Sequence, residues 1–133
     1  MSEFTYTQEE LSRMHDTAVK LGLSGSELLT IPEAQQWCNG IGAQWMWSVL
    51  RDFISDFNPA FLIPSAIHDV RYETGGNDTD REFADNEWLA NCLVCVNDRY
   101  GWYNPLRYYA RKQARKYYAL LRISGGLAWK GGA

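Results

Sequence analysis

Residues 67–88 read I-H-D-V-R-Y-E-T-G-G-N-D-T-D-R-E-F-A-D-N-E-W, and how this stretch divides decides the fold. Gly75-Gly76-Asn77 interrupts it. Glycine takes positive φ without steric cost, so the chain can reverse tightly there. Before the break, His68 and Tyr72 stand at i and i+4 and share one face of a helix, with Asp69 roughly 100° around the axis. After it, Asp78 is placed to cap a second helix starting near Thr79. If the two helices run antiparallel, His68 and Asp85 are each roughly 9 Å from the turn and come level. Asp80 is too close to the turn, and it lies about 140° from the apolar stripe that Asp85 shares with Leu89, Cys92 and Val96. A carboxylate on a buried stripe needs a partner. The hypothesis is that His68 is a base and Asp85 the carboxylate that orients it, with Asp69 left for a metal. A bland reading fits the same spacing: a His-Asp dipeptide on a helix surface, a core tyrosine with a wet hydroxyl, and a half-buried aspartate. Spacing alone leaves both open.

Outward from this stretch, every segment reads as helix or turn, which makes the chain all-α. Thr7 followed by Glu10 forms a capping box for an amphipathic helix through about Leu21, with Leu11, Met14, Ala18 and Leu21 on its stripe and Gly22 at its end. Thr30-Ile31-Pro32-Glu33 repeats the signal for a short helix carrying Ala34 and Trp37. The glycine-punctuated C-N-G-I-G-A, residues 38–43, follows. Two near-adjacent glycines let backbone groups converge on an ion, and they equally serve any sharp turn. Residues 44–57 form a third amphipathic segment whose bulky apolar groups suit a core. A helix beginning at or near Pro64 leads to the Gly-Gly break, since proline fits a first turn and not an interior. The second helix of the pair runs to about Asp98, and a last one runs from Asn104-Pro105 to about Ile123. No repeat, linker or strand pattern stands out. The expected architecture is a single domain, residues 1–133, around a central antiparallel helix pair.

With 133 residues, 46% hydrophobic content and four prolines, the chain can bury a sizeable core and is not disordered. No stretch approaches the ~20 apolar residues of a membrane span, and no signal-peptide pattern opens the sequence. Three cysteines, without a second Cys or His pair beside Cys92 and Cys95, form neither a disulfide framework nor a zinc site. Synthesis and folding in a reducing, cytoplasmic compartment is expected. The net charge of −3 hides a split: six basic and sixteen acidic residues up to Arg99, then seven basic and no acidic ones. The halves either attract each other or leave the second for an anionic partner.

Taken together, C-N-G-I-G-A, I-H-D-V-R-Y and A-D-N-E-W resemble the phospholipase A2 superfamily, in which a glycine-rich calcium loop precedes a helix bearing H-D-x-x-Y packed antiparallel to a helix that supplies another aspartate. Residues 84–88 are also similar to the A-D-x-x-F motif of parvovirus capsid phospholipase domains, with Trp88 in place of the phenylalanine. The resemblance spans residues 38–88. It implies that His68 takes a proton from the attacking water, that Asp85 holds the imidazole and stabilises the imidazolium, and that Tyr72 hydrogen-bonds Asp85. It implies Ca2+ bound by Asp69 and the backbone carbonyls of Cys38, Gly40 and Gly42, with the Gly40 N–H sharing oxyanion stabilisation. Calcium is a hard ion that takes oxygen ligands, and a divalent charge suits the oxyanion formed when water attacks an ester. The implied substrate and partner is a phospholipid membrane surface. Secreted relatives carry cysteines where this chain has Pro64, Ser65 and Arg71, and their loop-to-histidine spacing is shorter. The same order of motifs also resembles small phage and prophage proteins of unknown function, which implies a virion-associated setting and leaves the activity open.

Two other readings compete. A His-Asp metal phosphohydrolase would use His15-Asp16 as well, but such sites need several histidines and the chain has two. A non-enzymatic phage-type module would use the last helix, where Arg107, Arg111, Arg115 and Arg122 share one side and tyrosines are interleaved. That stripe is either a face paired with the acidic first part or a docking surface for an anionic partner. A net-negative chain is a poor general nucleic-acid binder.

Overall fold

Helix α1 (Gln8–Leu21) starts where its capping box places it: Thr7 Oγ1 accepts from Glu10 N at 3.0 Å, and Glu10 Oε1 accepts from Thr7 N at 2.8 Å. Leu11 and Ala18 of its stripe are buried, and Gly22 closes it. The computed structural model describes residues 6–38, 58–127 and 129. After α1 come a 3₁₀ turn (Ser26–Thr30) and α2 (Ala34–Trp37). A second 3₁₀ turn (Pro59–Phe61) then leads to α3 (Leu62–Thr74), α4 (Asp78–Arg99), α5 (Pro105–Ser124) and a last 3₁₀ turn (Gly125–Leu127). Among the described residues there is no strand, and these elements form one all-α domain. No helix among them is long and apolar enough to cross a membrane. The expected segment 44–57 and most of the turn 38–43 lie outside the described residues.

Helix α3 is the centre. Pro64 through Val70 and Tyr72 are all buried, so it has almost no solvated face. On one side Ala66, Ile67 and Val70 pack with Leu11, Leu23, Leu29, Ala34 and Cys38. On the other, Tyr72 joins Phe61, Trp88, Cys92, Tyr117 and Leu121 of the cluster shared with α4 and α5. Trp88 anchors that side. Its Nε1 donates to Ser65 Oγ at 3.1 Å, and its ring meets Phe61 at 5.8 Å between centroids. Removing a ring buried to this degree costs roughly 3–5 kcal/mol. Contacts between α3 and α4 run in reverse order, Ser65 to Trp88 and His68 to Asp85, so the two are antiparallel. Asn97 to Arg111 and Asn86 to Tyr118 show the same for α4 and α5.

Three element starts differ from the sequence expectation. Helix α4 is capped by Asn77, not Asp78: Asn77 Oδ1 accepts from Asp80 N at 2.9 Å, while Asp80 reaches back to Asn77 N at 3.0 Å. The pattern N-x-x-D satisfies two orphan N–H groups at once, whereas a cap at Asp78 would lack the returning carboxylate. Helix α3 begins at Leu62, continuous with the preceding 3₁₀ turn, so Pro64 falls third. The first N–H groups of a helix have no internal acceptor, so a proline there forfeits no bond. The Thr30 capping box does not form, because the Thr30 hydroxyl donates backwards to Glu27 O at 2.8 Å and Glu33 itself occupies the cap position of α2.

Candidate functional site

The reversal at Gly75 (φ 76°) and Gly76 (φ 138°) brings α4 back along α3 in the register that levels His68 with Asp85. His68 Nε2 and Asp85 Oδ1 are 2.8 Å apart, both side chains fully buried. The Tyr72 hydroxyl donates to the same oxygen at 2.7 Å, and its ring lies 4.2 Å from the imidazole centroid. Asp80, excluded by register, stays in the helix cap.

The protonation pattern follows. Burial would push the Asp85 carboxyl up, but hydrogen bonds from His68, Tyr72 and Arg122 outweigh it and hold the group below its ordinary value. Burial pushes the His68 imidazole down, helped by Arg81, and the opposing pull of Asp85 and Glu87 does not restore it. Burial and the Asp85 charge raise the Tyr72 phenol, so it remains a donor. Near neutral pH the site is therefore a carboxylate facing a neutral imidazole. An ionised carboxylate only accepts hydrogen bonds, so Nε2 carries the proton and the lone pair sits on Nδ1, which is buried.

Asp69, next along α3, is also buried. Cys38 lies near it: burial and then the Asp69 charge push the Cys38 thiol far up, and its Sγ contacts Ala66 O at 3.6 Å. The first residue of the glycine-punctuated turn thus packs on α3 beside Asp69. Gly40 and Gly42 lie outside the described residues. Cys92 and Cys95 are buried, with Cys95 pushed up to about 11 by burial and then Asp98. All three cysteines are free, and as protonated thiols they are poor nucleophiles and poor metal ligands. Among the described residues no group of three or more His, Cys, Asp or Glu side chains converges. Among the described residues His15 pairs only with its neighbour Asp16, at 3.4 Å on the outer part of α1.

The sequence reading missed two arginines. Arg122 Nη1 donates to Asp85 Oδ2 at 2.6 Å, and Arg81 Nε sits 4.0 Å from that oxygen and 3.3 Å from the Tyr72 hydroxyl. Arg81 stands four residues before Asp85, a spacing that was available as a signal. Arg122 belonged to the expected basic stripe, but the structure turns it into the site, and Arg111 is tied to Asn97 at 3.2 Å. Also missed was a second buried acid. Glu87 takes Arg71 on both oxygens at 2.9–3.0 Å and Ser24 Oγ at 2.6 Å, which fastens the loop before the first 3₁₀ turn to α4. Two open clefts run along α1, past Thr17 and Ile63.

Comparison with protein-family models, with curated proteins and with solved structures finds no match to this chain.

Proposed function

We propose that this chain is a calcium-dependent hydrolase of phospholipid ester bonds, built on a phospholipase A2-like helix pair. The observation that carries the reading is the placement of Asp85 between His68 Nε2 and the Tyr72 hydroxyl, three groups from two helices meeting at 2.7–2.8 Å. In this reading His68 Nδ1 receives the proton of an attacking water. Asp85 keeps the proton on Nε2 and stabilises the imidazolium as it forms. Tyr72 holds Asp85 in line. Burial strengthens each of these interactions, because the surrounding dielectric is low.

The donors beside the dyad suit a hard ion. Asp69 offers a buried carboxylate, and Cys38 offers a backbone carbonyl while its protonated thiol is turned to Ala66. Asp69 and the carbonyls of Cys38, Gly40 and Gly42 would hold Ca2+, which when bound supplies positive charge for the ester oxyanion, a role the Gly40 N–H would share. The lipid partner is supported by α5, where Lys112, Arg115 and Lys116 are exposed behind the exposed Trp102, Tyr103 and Leu106. Aromatic and basic groups together favour an anionic membrane surface.

The test uses two replacements that fail differently. Asp69→Asn removes charge from the ion site, so calcium affinity and hydrolysis fall together. His68→Asn keeps calcium binding and loses on the order of a hundredfold or more in rate. An unmodified protein that neither binds calcium at millimolar levels nor hydrolyses phospholipid vesicles would sink the proposal. A second reading then stands: a non-enzymatic, virion-associated module docking through the exposed cations of α5. The exposed Lys112, Arg115 and Lys116 favour it.

A further inference from the structure

Two arginines outside the dyad converge on its carboxylate, Arg81 from α4 and Arg122 from α5. Arg81 Nη2 donates to the carbonyls of Leu121 at 2.9 Å and Arg122 at 3.1 Å. These belong to the last turn of α5, where carbonyls run short of helix N–H donors, and the Leu121 carbonyl accepts from Gly125 N as well. Arg81 therefore caps α5 and fixes the turn that presents Arg122. Arg122 in turn places Nη1 2.6 Å from Asp85 Oδ2, with its own side chain only 31% exposed.

The consequence lies in the carboxylate's plane. Oδ1 already accepts from His68 and Tyr72, and Oδ2 accepts from Arg122. A carboxylate held through one oxygen can turn about Cβ–Cγ and let go of the imidazole, because that terminal torsion is broad. One held through both oxygens is fixed. We propose that Arg122, seated by Arg81, is a positioning residue for the His68–Asp85 pair: it locks the Asp85 plane so that Oδ1 stays on His68 Nε2, and it makes the pair depend on docking of α5. The role in turnover rests on His68 being a base; the locking of the carboxylate does not.

A plain tether between α4 and α5 would also use these arginines, but it would leave the imidazole proton undisturbed. The experiment follows the His68 Nε2 proton by nitrogen-15 correlated NMR on the full chain at pH 7.5. His15, the other histidine of the chain, serves as internal reference. The unmodified protein should show slow solvent exchange at His68 Nε2. Arg122→Gln should speed that exchange at least tenfold and lower kcat on phospholipid vesicles about tenfold, with KM unchanged. Arg122→Lys should recover both to within about threefold, since it keeps a cationic donor. A folded Arg122→Gln protein with unaltered exchange at His68 overturns the proposal. Should that variant not fold, Arg81→Gln takes its place, because it frees the turn carrying Arg122; unaltered exchange there overturns the proposal equally. If the unmodified protein hydrolyses no phospholipid, the hydrolase reading falls, and the exchange rates still decide the role of Arg122.

Discussion

Replacing Asp85 by alanine and by asparagine separates the cost of empty donors from the cost of a lost charge. Alanine leaves His68 Nε2–H and the Tyr72 hydroxyl, both in fully buried residues, without their acceptor. An unsatisfied buried donor costs about 1–3 kcal/mol, so the two together cost roughly 2–6 kcal/mol. Arg122 adds less, because its side chain is 31% exposed and can turn to water. About 4–5 kcal/mol is the expected loss, within the ~5–15 kcal/mol that holds most domains folded. Asparagine keeps an oxygen that can accept from both His68 and Tyr72, but its amide presents donors to Arg122. It should lose about half as much. Urea unfolding at pH 7.5 reads both directly. With m of about 1.5 kcal/mol per molar, alanine should lower the midpoint by ~3 M and asparagine by ~1.5 M at unchanged m. A loss under ~1 kcal/mol for alanine would refute the reasoning, since it would mean that neither donor depends on this carboxylate.

Three further outcomes are expected. Gly25→Ala should destabilise by about 2 kcal/mol in the same assay, because Gly25 holds φ +84° and a Cβ would come 2.8 Å from Ile67 Cγ2 and 3.0 Å from Glu87 Oε2; a neutral result would show that the 3₁₀ segment does not sit tightly on α3 and α4. Acid should destabilise the fold in two stages: the depressed imidazole makes the unfolded chain bind a proton that the folded one refuses as pH drops below about 6.5, and the depressed Asp85 carboxyl forfeits its contribution below about pH 4. His68→Gln should flatten the first stage, and a pH–stability curve identical to that of the unmodified protein would contradict it. Lys112, Arg115 and Lys116 changed together to glutamine should weaken binding to anionic vesicles about a hundredfold at low salt, at about 1 kcal/mol per charge, while leaving the urea midpoint in place; the reverse pattern would make them structural.

The helix pair and the His68–Asp85 contact were legible because both follow from local arithmetic. A Gly-Gly break fixes the reversal, a helical rise fixes the level, and the apolar stripe of α4 selects Asp85 over Asp80. Helix starts were less legible, since a capping pattern such as Thr30 to Glu33 says nothing about a hydroxyl already committed to Glu27. Arg122 was harder still, 37 positions from its partner on a helix whose approach no local pattern fixes. Charge periodicity put it on a stripe with Arg107, Arg111 and Arg115, and only the antiparallel packing of α4 and α5 separates it from them. The charge split along the sequence did contain the answer in coarse form. The acidic first part and the basic second part attract, and at residue level that attraction is Arg122 on Asp85. Two buried acids two positions apart on α4 then face different neighbours: Asp85 meets α3 and α5, while Glu87 meets Arg71 and the loop at Ser24. A burial pattern read at helical period allows one such acid on the stripe. The second is buried because α4 is covered from two directions, which is a property of the packing and not of the helix.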